Sequence, residues 1–237
     1  MIELQNINKS YGNLKVLSDI NLTIGENEII TILGPSGAGK TTLLQIAGTL
    51  DIPDSGHVIY DGEDIVGFKD ARLSRYRNRN IGFIFQFHQL LQEFSACENV
   101  ALPAMIAGMS KSKAMHKATE LLDIVGLSER KSHKPAEMSG GERQRTAIAR
   151  ALINNPKVVF ADEPTGSLDS HNRDEIYSLI SKLKSMLGIT FVIVTHDLSI
   201  TEFADRIIHM EDGKITDDTP VEQEIIINND TDCQETV

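Results

Sequence analysis

The β-branched run Ile29-Ile30-Thr31-Ile32-Leu33 leads directly into Gly34-Pro35-Ser36-Gly37-Ala38-Gly39-Lys40-Thr41, and that segment into the apolar helical stretch Leu43 to Leu50. A glycine-rich turn between a strand and a helix restricts the chain to an α/β layer fold whose helix N-terminus points at an anion. Glycines let backbone N–H groups close around phosphates without Cβ clashes. Lys40 reaches the β/γ-phosphates, and the Thr41 hydroxyl can ligate Mg²⁺. By itself this loop predicts a bound nucleotide and no particular reaction.

An acidic pair adds chemistry. Val158-Val159-Phe160-Ala161 reads as a short buried strand bounded by Pro156 and Pro164, with Asp162-Glu163 at its end. Adjacent residues on a strand point in different directions, so the two carboxylates serve different tasks. Asp162 suits the metal's hydration shell, and Glu163 suits polarisation of a water attacking the γ-phosphate. Two further strand-like runs end in polar groups: Ile81 to Phe85 at Gln86, and Ile189 to Thr195 at His196. Ligands of open α/β sheets bind at the carboxyl ends of the strands. His196 is therefore read as a γ-phosphate contact that helps place water, and Gln86 as an amide for Mg²⁺ or that water.

A second glycine pair is less expected. Ser139-Gly140-Gly141-Glu142-Arg143-Gln144 opens a predicted helix and offers backbone N–H groups and a hydroxyl to a further anion. One chain thus carries two half-sites. Together these residues resemble the ATP-binding-cassette ATPase family over residues 1 to about 215. The resemblance implies a P-loop α/β core with a mostly parallel sheet, an antiparallel β lobe and a helical lobe near residues 87–151. Gly34 to Thr41, with Thr42, match the family's phosphate loop, and Gln86 its Q-loop. Ser139 to Glu142 match the signature, Ser167-Leu168-Asp169 the D-loop, and His196 the switch histidine. Tyr11 matches the aromatic that stacks on adenine, although alone it reads equally as a strand tyrosine. Met138 and Glu142 depart from the usual Leu and Gln. Met for Leu nearly conserves volume, and a carboxylate is favourable in a helix's first turn.

The resemblance implies ATP and Mg²⁺ as ligands and a head-to-tail homodimer, in which the signature of one copy completes the phosphate site of the other. It also implies integral membrane permease subunits as partners and a peripheral position on the cytoplasmic face of the inner membrane. Phe87 to Leu91 and Phe94 to Pro103 resemble the lipoprotein-releasing group of cassettes. Efflux cassettes and a division-linked regulator that signals through a membrane partner remain as alternatives sharing every catalytic residue.

Composition is compatible with these expectations. The 237 residues are 41% hydrophobic, enough for a substantial core. No run approaches the ~20 apolar residues of a membrane span, and the first residues do not begin a signal peptide. Two cysteines, Cys97 and Cys233, are too few for a disulfide framework or metal site. The net charge of −11 lies mostly at the end: residues 215–237 hold seven acids and no Lys or Arg, leaving 23 − 27 = −4 elsewhere. A mildly acidic body has no electrostatic footprint for nucleic acid. Residues 216–237 are expected to form a flexible acidic tail carrying the Ile225-Ile226-Ile227 triplet.

Alternation over residues 2–33 and 57–61 predicts the antiparallel lobe. Helical periodicity over 97–126 is expected to break at Pro103 and Gly108. A helix is predicted over 171–187 and a hairpin at Asp212-Gly213. Arg72, Arg75, Arg77 and Arg79 form a basic cluster, read as a solvated helix end or as a contact for a membrane partner or headgroups.

Overall fold

The computed structural model describes residues 1–221. Two sheets and the helices enclose two hydrophobic cores. Strands β1 (Ile2–Tyr11), β2 (Leu14–Ile24), β4 (Ser55–Tyr60) and β5 (Glu63–Asp64) form an antiparallel sheet in the order β2-β1-β4-β5. The second sheet has the order β10-β9-β3-β8-β7-β6, built from β3 (Ile29–Leu33), β6 (Ile81–Phe85), β7 (Val158–Asp162), β8 (Thr190–Val194), β9 (Arg206–Glu211) and β10 (Lys214–Pro220). Strands β6, β7, β8, β3 and β9 run parallel, and β10 returns antiparallel.

The parallel strands β7 and β8 are apolar on both faces because both faces are covered. Along β7, Val159 and Ala161 join one core cluster while Val158 and Phe160 join the other. Along β8, Phe191 and Ile193 divide from Val192 and Val194 in the same way. One core packs beneath the helices α3 (Ala96–Ile106), α4 (Lys111–Ile124), α5 (Gly140–Leu152) and α6 (Ser170–Leu187). The other lies between the parallel sheet, the antiparallel sheet and α1 (Lys40–Ala47). Phe160 is fully buried between Phe83 and its strand neighbours, a burial contributing about 1.5–3 kcal/mol.

Three local expectations need correction. Ile29–Leu33, expected within the antiparallel lobe, lies inside the parallel sheet, with all five residues buried. Its continuous apolar character, rather than period-two alternation, is the signature of a strand covered on both sides. Pro103 does not break the helix. It sits inside α3, near the end, where only one backbone bond is lost. Its carbonyl accepts from Ala107 N–H at 3.0 Å and from the side-chain amides of Asn78 and Asn154 at 3.2 Å each.

The first part of the expected tail, Thr216–Pro220, is strand β10. It pairs with β9 through the turn at Asp212 (φ 46°) and Gly213 (φ 73°), as that dipeptide predicts. Arg206 pairs with Asp218, Nε to Oδ1 at 2.6 Å, so an acidic residue there has a partner on the neighbouring strand. The Ile225-Ile226-Ile227 triplet and Cys233 lie outside the described residues. The basic cluster lies on or beside α2 (Asp70–Asn80), where Arg77 donates to Thr49 O at 2.6 Å and Arg72 stacks on Phe68 at 3.7 Å. Cys97 is buried in the helical core.

Candidate nucleotide site

The parallel register brings the carboxyl ends of four strands level. Phe85 pairs with Asp162 and Asp162 with Val194, and β8 runs beside β3, which enters the phosphate loop. Loop residues Gly34, Pro35, Ser36, Gly37, Ala38 and Gly39 connect β3 to α1. Gly39 has φ 94°, and a Cβ there would stand 2.8 Å from the Val16 carbonyl oxygen. Gly37, at φ 84°, faces open space, so the loop is shaped to admit a group from outside. Lys40 is 8% exposed, and its ammonium donates to Gly34 O at 2.7 Å and Pro35 O at 3.0 Å. It thereby spans the loop from within.

Thr41 Oγ1 donates to Asp162 Oδ1 at 3.1 Å. Burial pushes the Asp162 carboxyl up from its ordinary value, the Thr41 hydrogen bond offsets part of that, and the Glu163 charge adds to it. A half-buried carboxylate beside a hydroxyl is an oxygen pair that a hard divalent cation relieves. Among the described residues no group of three or more His, Cys, Asp or Glu could hold a metal ion.

Glu163 directly follows β7 with φ 46°, a left-handed backbone for a non-glycine residue. Its Oε1 lies 2.8 Å from His196 Nδ1, and its Oε2 accepts from the Thr195 hydroxyl at 2.9 Å. Gln86 follows β6 and packs on the next turn: a Cβ on Gly166 would come within 2.9 Å of its Nε2. The two strand-end residues Glu163 and His196 are thus in contact, while Gln86 reaches the loop after Glu163.

Tyr11 closes β1 at 49% exposure, and its hydroxyl donates to Asp51 Oδ2 at 2.5 Å. Lys9 Nζ lies 2.9 Å from Asp51 Oδ1 and 5.1 Å from the Tyr11 ring centroid. The Asp51 hydrogen bond, with burial, holds the Tyr11 phenol above its usual range, and Thr42 stands within reach of the same hydroxyl.

Ser139 caps α5 in a reciprocal box. Its Oγ accepts the Glu142 N–H at 3.2 Å, and its own N–H donates to Glu142 Oε2 at 2.8 Å. Arg130 Nε donates to Glu142 Oε1 at 2.7 Å; with the Ser139 N–H it holds this carboxyl below the ordinary glutamate range. The departure from Gln therefore adds no free charge to the motif. The Ser139 hydroxyl accepts from the helix, and its own proton is available to an outside acceptor. Gly140 and Gly141 admit the neighbouring turn: a Cβ would meet Leu168 Cδ2 at 3.2 Å and Asn172 Oδ1 at 2.9 Å. Leu168 packs on the helical core, Asp169 caps α6 by accepting Asn172 N–H at 2.9 Å, and Ser167 is exposed.

Two groups of predicted residues share no polar contact. Among the described residues, no hydrogen bond or ion pair joins Ser139, Gly140, Gly141 or Glu142 to the phosphate loop, Asp162 or Glu163. Sequence reading missed Thr195, Asp51 and Arg130. Thr195 was legible only as the end of a strand, and the other two as ordinary surface charges.

The ABC transporter family model matches residues 17–166. The chain belongs to that family. It is 57% identical over 215 residues to the lipoprotein-releasing system ATP-binding protein LolD of Bacteroides fragilis, covering 91% of this chain and all of the relative. The LolD of Syntrophotalea carbinolica is 53% identical, covering 91% and 97%. Among solved structures, a dimeric ATP-binding cassette in a post-hydrolysis state with ADP and Pi superposes with a TM-score of 0.86 at 39% identity, covering 94% of this chain and all of that one. This member of the family is an ATPase cassette with the α/β core, antiparallel sheet and helical layer described above. No helix among its described residues is long and apolar enough to cross a membrane.

Proposed function

We propose that this cassette hydrolyses ATP at the cytoplasmic face of the inner membrane to power lipoprotein release through integral membrane subunits. The observation that carries the reading is the 57% identity to a lipoprotein-releasing ATPase across that relative's whole length. The ATP site is composite. Gly34 to Thr42 hold the triphosphate of one nucleotide, Tyr11 stacks on its adenine, and Ser139 to Glu142 of a second copy bind the γ-phosphate from the opposite side. Support for a head-to-tail dimer comes from the lack of any hydrogen bond or ion pair between the two half-sites among the described residues and from the dimeric neighbour with ADP and Pi. The D-loop, Ser167 to Asp169, borders that interface, with Ser167 and Asp169 exposed.

Thr41, Asp162 and Gln86 would hold Mg²⁺, which would supply charge neutralisation on the phosphates. Glu163 accepts a proton from water as the water oxygen bonds to the γ-phosphorus. The bond from that phosphorus to the β-bridging oxygen breaks, and ADP leaves with the electron pair. His196 turns from Glu163 toward the γ-phosphate and steadies the charge there. ATP favours the closed dimer because it bonds to both copies, and phosphate loss reopens it.

Glu163→Gln is expected to bind ATP, to sediment as a dimer with ATP present, and to turn over ~10²–10⁴-fold more slowly. In proteoliposomes holding the membrane subunits that co-purify with the chain, ATP should release a labelled lipoprotein, and Lys40→Ala should abolish release. Full turnover in Glu163→Gln refutes the assignment of the base. ATP turnover without release of any lipoprotein refutes the cargo.

A further inference from the structure

We propose that Thr195 is a positioning residue for hydrolysis: its hydroxyl anchors one oxygen of Glu163 and so assigns the other to the attacking water. The inference rests on the reading of Glu163 as the base. Thr195 follows β8 and is fully buried. Its N–H donates to Ile32 O at 3.2 Å, tying it to the strand that enters the phosphate loop. Its Oγ1 accepts the Asp197 N–H at 3.1 Å and donates to Glu163 Oε2 at 2.9 Å. A hydroxyl has one proton, and with a backbone N–H filling an acceptor position that proton is directed at Glu163.

Asp197 is itself fixed. Its carboxylate accepts the Ser199 N–H at 3.0 Å and pairs with Arg173 Nη1 at 3.0 Å. The backbone bond to Thr195 therefore comes from a tethered turn. Glu163 needs such an anchor because it stands at φ 46°, a conformation that persists only where surrounding contacts over-determine it. Its N–H donates to Val194 O at 2.8 Å, the residue just before Thr195. Backbone and side chain are thus both held by the end of β8.

The two carboxylate oxygens have different surroundings. Oε2 faces the buried Thr195, whereas Oε1 faces His196, whose side chain is 74% exposed and can rotate away. When His196 turns to the γ-phosphate, Oε1 is left with an open acceptor position while Oε2 stays bound. Thr195 keeps the carboxylate plane in place as the proton moves, which lowers the entropy lost in reaching the transition state.

The test compares ATP turnover by the purified full chain with that of its variants. Thr195→Val keeps shape and removes the hydroxyl; it should lower kcat about tenfold with KM for ATP within about twofold, the loss of one charge-assisted hydrogen bond. Thr195→Ser keeps the hydroxyl and removes a methyl, and should retain more than half of kcat. In a Glu163→Gln background, Thr195→Val should change the residual single-turnover rate by less than about twofold, because residues acting as one unit are non-additive. If Thr195→Val melts below the assay temperature, Thr195→Ala compared with Thr195→Ser isolates the same hydroxyl and carries the same expectation. A packing role alone predicts the reverse order, with Val active and Ser impaired, and that order overturns the proposal. Full activity in Thr195→Val alongside a collapsed Glu163→Gln also overturns it and leaves the base in place. Full activity in Glu163→Gln removes the base itself.

Discussion

Gly39 shows how little freedom single residues have at the phosphate loop. Its φ of 94° and the 2.8 Å approach of Val16 O to any Cβ mean that alanine must both strain the backbone and push a strand away. Gly39→Ala is expected to destabilise the chain by about 1–3 kcal/mol, read as a lower urea midpoint. ATP affinity should fall with it, because the distortion reaches Lys40. Such positions were legible in the sequence because glycine, lysine and hydroxyl residues at fixed spacing leave few other uses. Thr195 was not. Its partner Glu163 is far off in the chain, and only the pairing of β7 with β8 brings the two together. Asp51 is hidden for the same reason: nothing local to Asp51 says that the Tyr11 hydroxyl ends on it.

At the scale of elements, the start of α5 depends on one carboxylate. The Glu142 pKa is depressed in the fold, chiefly by Arg130 and then by the Ser139 N–H. A group of this sign contributes its stabilisation in full above the ordinary glutamate range, and loses it as pH falls through the depressed folded value. Glu142→Gln should therefore be less stable than the parent near neutrality, and the difference should shrink in acid. Urea unfolding at about pH 7 and about pH 3.5 measures it; an equal difference at both would discard the ion pair as its cause. Helix starts of this kind are readable in advance, since Ser-x-x-Glu states its own hydrogen bonds. Helix and strand ends governed by neighbours are less so. Pro103 remains helical because only one backbone bond is lost near the end of α3, and Thr216–Pro220 becomes strand because β9 offers an edge and Arg206 pairs with Asp218.

For the whole molecule, the decisive feature is that, among the described residues, no hydrogen bond or ion pair joins the signature to the phosphate loop within one chain. A dimer in which each copy completes the other predicts complementation. Lys40→Ala spoils one half-site and Ser139→Ala the other, so neither alone should sustain turnover. Mixed in equal amounts, half the dimers are heterodimers with one intact site, restoring up to about a quarter of the wild-type rate. Absence of any recovery, with mixed dimers shown by mass, would rule out sites shared between copies. The sequence by itself determined the family, the phosphate loop and the acids at strand ends, because their chemistry is local and their spacing is set by strand–turn–helix geometry. Tertiary structure alone decided which group holds each of them. Contacts between distant segments, such as Thr195 on Glu163, Arg130 on Glu142 and Asp51 on Tyr11, exist only after strand order and layer packing have fixed who stands beside whom.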